Sequence, residues 1–238
     1  MMPVQERGTE RTVSLELPDR TLEASLGVPV DPLALVIFAH GTGSSRHSSR
    51  NRFVAEQLRE GGLATLLLDL LSQEEEREDE RTRRLRFDID LLGERVRAAV
   101  DWAGQRQELA ALPIGLFGAS TGAAAALVAA AERPERVGAV VSRGGRPDLA
   151  AGALPAVRAA TLLLVGGEDQ PILGMNQDAM ARMTGAETHL EIVPGAGHLF
   201  EEPGKLKVVS DLARAWFRRH VAGEPPELEG LEEEEASG

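Results

Sequence analysis

An α/β architecture is predicted by three features of the sequence: short, nearly continuous apolar runs, intervening segments with helical spacing, and an early alternating hairpin. Unbroken apolar runs suit parallel strands buried on both faces. Strands alternating with helical segments imply a doubly wound, mostly parallel sheet covered by helices on both sides. The hairpin supplies an antiparallel edge.

Each element follows in order. Thr12–Leu17 and Thr21–Val28 alternate around Pro18-Asp19, which predicts two antiparallel strands with one wet face. Leu33–Ala39, Leu63–Leu68, Ile114–Phe117, Val137–Val141 and Thr161–Val165 are the buried-strand candidates, with a last strand near His189–Val193. Helices are expected at Arg52–Glu60, Arg86–Gln105, Thr121–Ala131, Ile172–Met183 and Lys205–His220. The stretch Ser72–Arg84 is dense in charge and reads as a solvated loop running into a helix. The alternative is a charged rim or lid beside a site. Arg143–Ala160 has room for one short helix, so no large cap domain is expected.

The chain of 238 residues is long enough for one domain with a sizeable core. The expected division is a flexible N-terminus over 1–11, one domain over 12–221 and an acidic disordered tail over 222–238. Residues 224–238 hold seven glutamates and no basic residue; without them the net charge of −12 falls to −5. Like-charge repulsion keeps such a tail solvated. An acidic chain is repelled by nucleic-acid phosphates and anionic lipid, and aromatics for base stacking are scarce at 3%. Neither nucleic acid nor membrane is therefore expected as a partner. No cysteine is present, which removes disulfides, thiolate metal sites and a cysteine nucleophile together. Met1–Arg11 lacks the apolar core of a signal peptide. A cytoplasmic protein is expected, with a homodimer left open.

The chemistry is carried by four motifs. Gly118-Ala119-Ser120-Thr121-Gly122 follows an apolar run and precedes an alanine-rich segment, hence strand, tight turn, helix. That context makes G-x-S-x-G a nucleophile elbow, with Ser120 as nucleophile. The helix start directs N–H groups toward a developing oxyanion. His198, in Pro194-Gly195-Ala196-Gly197-His198 after the last strand, is the candidate base. His189 and His220 read as structural, the latter as a cation favoured by a helix C-terminus. Asp169, in Val165-Gly166-Gly167-Glu168-Asp169, is the candidate carboxylate that orients the imidazole, and Asp148 is the alternative. The oxyanion donors are expected at the Thr121 N–H and at the Thr42 N–H, with Gly41 as fallback, in His40-Gly41-Thr42-Gly43. His40, Arg46, His47 and Arg143 are candidate substrate-binding residues. His40 also reads as an anchor for its loop, and the arginines equally suit pairing with nearby carboxylates. No metal or organic cofactor is expected.

These motifs, with Ser44-Ser45-Arg46-His47, resemble the dienelactone-hydrolase-like branch of the α/β-hydrolase superfamily over residues 12 to about 221. The resemblance implies an α/β-hydrolase fold and a Ser-His-Asp triad of Ser120, His198 and Asp169. Dienelactone hydrolases use a cysteine nucleophile, whereas position 120 is serine. The implied activity is therefore hydrolysis of a small-molecule carboxylic ester or thioester through an acyl-enzyme. Acyl transfer or perhydrolysis on the same triad, and a non-catalytic binding protein, are the alternatives. Leu68-Asp69-Leu70-Leu71 with its acidic continuation, and the Ser-Ser-Arg-His loop, also resemble hydrolases joined to, or encoded with, phosphoribosyltransferase domains.

Overall fold

The computed structural model describes residues 10–224. Eight strands form one sheet: β1 (Glu10–Glu16), β2 (Thr21–Gly27), β3 (Ala34–Ala39), β4 (Leu63–Leu68), β5 (Ile114–Ala119), β6 (Val137–Arg143), β7 (Ala160–Gly166) and β8 (Thr188–Val193). Six helices connect or follow them: α1 (Ser49–Glu60), α2 (Gln73–Thr82), α3 (Ile89–Gly104), α4 (Thr121–Glu132), α5 (Gln170–Arg182) and α6 (Lys205–His220). The spatial order is β1-β2-β4-β3-β5-β6-β7-β8. β1 and β2 pair antiparallel, β2 joins β4 antiparallel, and every later pair is parallel.

The continuous apolar runs have a simple cause. Along β3, Leu35, Ile37 and Ala39 pack into a core shared with α3 and α4, while Ala34, Val36 and Phe38 pack into a second core shared with α1 and α6. Successive side chains point to opposite faces, and here both faces are dry. Phe38 and Phe117, on neighbouring strands, meet with ring centroids 4.8 Å apart in the second core.

The chain visits β3, steps out to β4, then crosses back to place β5 on the other side of β3. The crevice beyond the carboxyl ends of β3 and β5 is thus a topological switch point, where open α/β sheets bind ligands.

Three expectations change. Glu10 and Arg11 belong to β1, so the ordered domain starts two residues earlier than the expected 12. Ser72–Arg84 is mostly helix rather than loop. Ser72 caps α2, its hydroxyl accepting from the Glu75 N–H while the Glu75 carboxylate accepts from the Ser72 N–H. This reciprocal box satisfies two helix-end donors. The connection from β6 to β7, where one short helix and no cap domain were expected, contains two short 3₁₀ turns, Pro147–Ala150 and Leu154–Ala156, still without a cap domain. At the other boundary, Glu224 makes a bidentate pair with Arg218 at 2.5 and 2.7 Å. The expected flexible residues 1–9 and tail residues 225–238 lie outside the described residues.

Candidate active site

Ser120 sits between β5 and α4 with φ 52° and ψ −121°. Positive φ is strained for a residue with a Cβ and persists only where the surroundings enforce it. Glycines make the enforcement sterically feasible. A Cβ on Gly122 would lie 2.2 Å from the Ala39 carbonyl oxygen, and one on Gly118 would lie 2.4 Å from the Ala123 Cα. Hydrogen bonds tie the turn to the end of β6: the Ser120 N–H donates to the Arg143 carbonyl at 3.3 Å, and the Arg146 N–H donates to the Ser120 carbonyl at 3.0 Å.

The loop after β3 abuts this turn. A Cβ on Gly41 would stand 2.9 Å from the Ser120 Cβ, so the bare backbone passes against the serine. The hydroxyls of Thr42 and Thr121 are 3.0 Å apart. The two segments expected to supply oxyanion donors therefore meet beside Ser120.

Asp169 follows β7, and its Oδ2 lies 2.7 Å from Nδ1 of His198. The Asp169 side chain is 13% exposed and that of His198 is 38% exposed. Gly166 permits the approach of their loops, since a Cβ there would come within 2.4 Å of the Ala196 carbonyl oxygen. The Glu168 N–H donates to that same carbonyl at 3.0 Å. A carboxylate on Nδ1 fixes the imidazole tautomer and leaves Nε2 as the basic nitrogen. Asp148 is engaged by Arg146 at 2.7 and 2.9 Å, whereas the carboxylate on His198 is that of Asp169. The His198 ring packs against Gly144, where an added Cβ would lie 3.6 Å from Cε1. Gly144 directly follows the residue that accepts the Ser120 N–H.

Two candidate substrate-binding residues are otherwise occupied. His40 is buried, with the Leu70 N–H donating to its Nε2 at 3.1 Å and its Nδ1 3.0 Å from the Gly41 carbonyl. An amide only donates, so Nε2 accepts and Nδ1 carries the proton. Burial pulls the pKa below its ordinary value, and the neutral ring holds the β3 loop to the β4 loop. Arg46 pairs with Glu23 at 2.7 Å and with Asp69, which also accepts from the Arg46 N–H at 2.6 Å. Its guanidinium staples the loop to β2 and to the end of β4.

His47 remains exposed and lines a cavity of about 470 Å³ together with Gly41, Thr42, Thr121, Leu71 and Glu76. α2 forms one wall of this cavity and so acts as a charged rim. Burial, then the neighbouring Asp69 and Glu80 carboxylates, push the Glu76 carboxyl above its ordinary value. Glu76 was not anticipated as a lining residue; the signal for it was the Ser72-x-x-Glu75 capping box, which announces a helix. His220 also departs from expectation. Its ring lies against Trp216, with centroids 4.1 Å apart, and burial lowers its pKa. Desolvation there outweighs the helix terminus that would favour a cation.

Among the described residues, no group of three or more His, Cys, Asp or Glu is placed to hold a metal ion. No helix among them is long and apolar enough to cross a membrane.

Comparison with known proteins agrees with this geometry at the level of fold and family. The dienelactone hydrolase family model matches residues 22–220. The structure of a dienelactone hydrolase from Anabaena variabilis ATCC 29413 is 54% identical, covers 91% of this chain and all of that one, and superposes with a TM-score of 0.89. Est1E from Butyrivibrio proteoclasticus shares the fold at 16% identity, with a TM-score of 0.72 over 88% of this chain and 98% of its own. A protein of Mycobacterium tuberculosis H37Rv named "Putative phosphoribosyl transferase" is 55% identical over 201 residues, which is 84% of this chain and 44% of the relative. The chain thus spans less than half the length of that relative. With a family model matching nearly the whole described chain, this protein belongs to the dienelactone hydrolase family of α/β hydrolases.

Proposed function

We propose that the chain is a serine hydrolase that cleaves a carboxylic ester or thioester through an acyl-enzyme. The observation that carries this reading is the 2.7 Å contact between Asp169 and His198 beside a serine held at φ 52°. Ser120 Oγ attacks the carbonyl carbon, and its proton passes to His198 Nε2. Electrons shift to the carbonyl oxygen, which the N–H groups of Thr121 and Thr42 stabilise. Collapse expels the alcohol or thiol, which takes the proton from His198 and leaves an acyl-Ser120 ester. Water, giving a proton to His198, then releases the acid and restores the serine. Asp169 stays ionised throughout and stabilises the imidazolium. The steps use side chains and backbone N–H groups of this chain together with one water molecule. The phosphoribosyl transfer in the name of the mycobacterial relative is not carried over. A cytoplasmic setting forms part of the proposal and rests on a sequence without cysteine.

The test is hydrolysis of p-nitrophenyl acetate, butyrate and octanoate by the wild type and by Ser120→Ala, His198→Ala and Asp169→Asn, with fluorophosphonate labelling in parallel. Loss of roughly 10⁴- to 10⁶-fold in kcat for the serine and histidine variants is expected, with labelling of wild type but not of Ser120→Ala. Variants that match the wild type, with no label at Ser120, would overturn the reading in favour of a non-catalytic binding protein.

A further inference from the structure

Asn176 is a polar residue in the middle of α5, 0% exposed. Its side-chain nitrogen lies 2.8 Å from the Ile172 carbonyl and 3.1 Å from the Gly145 carbonyl. Carbonyl oxygens only accept, so the amino group faces both, and Oδ1 is left buried without a partner. A buried orphan acceptor costs free energy, and asparagine is a mediocre helix former. A leucine of similar volume avoids both costs. What distinguishes this position is the group that the amino nitrogen holds.

That group is the first of two linked peptide units. The Gly145 carbonyl and the Arg146 N–H belong to one planar, trans unit and point in opposite directions. Fixing the carbonyl therefore fixes the N–H. That N–H donates to the Ser120 carbonyl at 3.0 Å. The Ser120 carbonyl in turn shares its peptide plane with the Thr121 N–H, which is the expected oxyanion donor. Two hydrogen bonds and two rigid planes thus run from Asn176 to Thr121. In a dry interior such bonds polarise one another, so each makes the next N–H a better donor.

The surroundings hold this path in place. A Cβ on Gly145 would stand 1.9 Å from the Ser142 Oγ and 2.6 Å from the Ala123 Cβ, so the loop is pressed against the first turn of α4. Ser120 is strained at φ 52° and needs a restraint from outside its own turn. The Ala123 N–H also donates to the Ser120 carbonyl, at 3.1 Å, but it belongs to the helix that the turn begins. The restraint on that carbonyl from outside the helix comes from Arg146.

We propose that Asn176 is a positioning residue for the oxyanion hole, acting on the Thr121 N–H through the Gly145–Arg146 and Ser120–Thr121 peptide units. The inference rests on the hydrolase reading. Asn176 touches no reacting atom. Its effect belongs to the transition state, where negative charge develops on the carbonyl oxygen, and not to substrate binding.

Kinetics on p-nitrophenyl butyrate test this for wild type, Asn176→Leu, Asn176→Gln and Ala179→Gly, each assayed well below its own Tm. Propyl trifluoromethyl ketone is the second probe. Ser120 Oγ bonds to its carbonyl carbon, the serine proton passes to His198, and the π electrons move onto oxygen as an oxyanion. Asn176→Leu is expected to lower kcat at least tenfold with KM within twofold, which is less than the roughly 10²- to 10³-fold for loss of a whole donor. The Ki of the ketone is expected to rise by the factor by which kcat/KM falls. The pH midpoint of kcat/KM, set by His198, is expected to stay in place. Asn176→Gln keeps an amino donor on a longer arm and is expected to regain part of kcat. Ala179→Gly loosens the same helix at a buried position and is expected to lower Tm with kcat and Ki unchanged. Should Asn176→Leu fail to fold, Asn176→Ala is read in its place. Wild-type kcat and Ki in the Asn176 variant, a loss confined to KM, or an equal loss in Ala179→Gly overturns the inference while the hydrolase reading stands. A wild type that neither turns over the ester nor binds the ketone overturns both.

Discussion

Gly122 and Gly41 show how single atoms decide the geometry around Ser120. At Gly122 the obstruction is backbone, with the Ala39 and His40 carbonyl oxygens 2.2 and 2.4 Å from any added Cβ. Backbone at the end of a central strand does not give way, so Gly122→Ala is expected to cost at least about 2 kcal/mol. That is roughly 4–8 °C in Tm for a chain of this size. An unchanged Tm would contradict the close approach. At Gly41 the added methyl meets the Ser120 Cβ at 2.9 Å, a contact that displaces the nucleophile more than it threatens the fold. Gly41→Ala is expected to lower kcat more than tenfold, because a misplacement of about 1 Å costs on the order of 10²-fold, while Tm moves by only a few degrees. A variant with wild-type kcat would remove Gly41 from the oxyanion loop.

At the scale of elements, the loop after β3 is held in place by residues far away in sequence. Asp69, at the end of β4, accepts both the Arg46 N–H and its guanidinium. Hydrogen bonds to a charged group contribute about 1.5–3 kcal/mol each, so Asp69→Ala is expected to destabilise by at least that much. It should also lower kcat, since the same loop carries Gly41 and Thr42. Loss of stability with full activity would mean that the loop keeps its shape without its anchor. α2 depends on its capping box, and Ser72→Ala is expected to cost about 1 kcal/mol. Differential scanning calorimetry reads both effects. The box matters for the cavity as well, because α2 carries Glu76.

For the whole molecule, pH acts through imidazoles kept neutral by burial. The pKa values of His40 and His220 are lowered in the fold, mainly by desolvation. The unfolded chain takes up these protons at about pH 6.5, and the folded chain only at lower pH. Stability that is full above pH 6.5 is therefore lost as pH falls below it, by at most about 1.4 kcal/mol per pH unit for each excluded proton. Glu76 acts in the opposite sense, because its raised carboxyl takes up a proton more readily in the fold. The expected melting curve is flat from pH 8 to 7 and declines between pH 6.5 and 5, with a shallower slope in His40→Gln. A Tm that is level down to pH 5 would show that the His40 pocket admits a proton.

The alternation of strands and helices was legible in the sequence because burial on both faces writes an apolar run directly into the residues. The elbow was legible for a related reason: a turn at positive φ pressed against neighbouring backbone admits only small residues at Gly118 and Gly122, a local demand. Asp169 and His198 were placed by chain order at strand ends, but their 2.7 Å contact exists only because β7 and β8 lie side by side. α2 was written locally as Ser72-x-x-Glu75, yet its charge density argued for a loop. A helix that presents its polar face to solvent and to a cavity needs little apolar surface. The fate of the arginines was beyond any local signal. Arg46 finds Glu23 and Asp69, while Arg143 finds no carboxylate among the described residues, because pairing depends on which side chains the sheet brings within a few ångströms across 23 positions of chain. By itself the sequence determined the order of elements and the residues at each strand end; the tertiary structure alone decided which charges meet, because contact is set by distance in space.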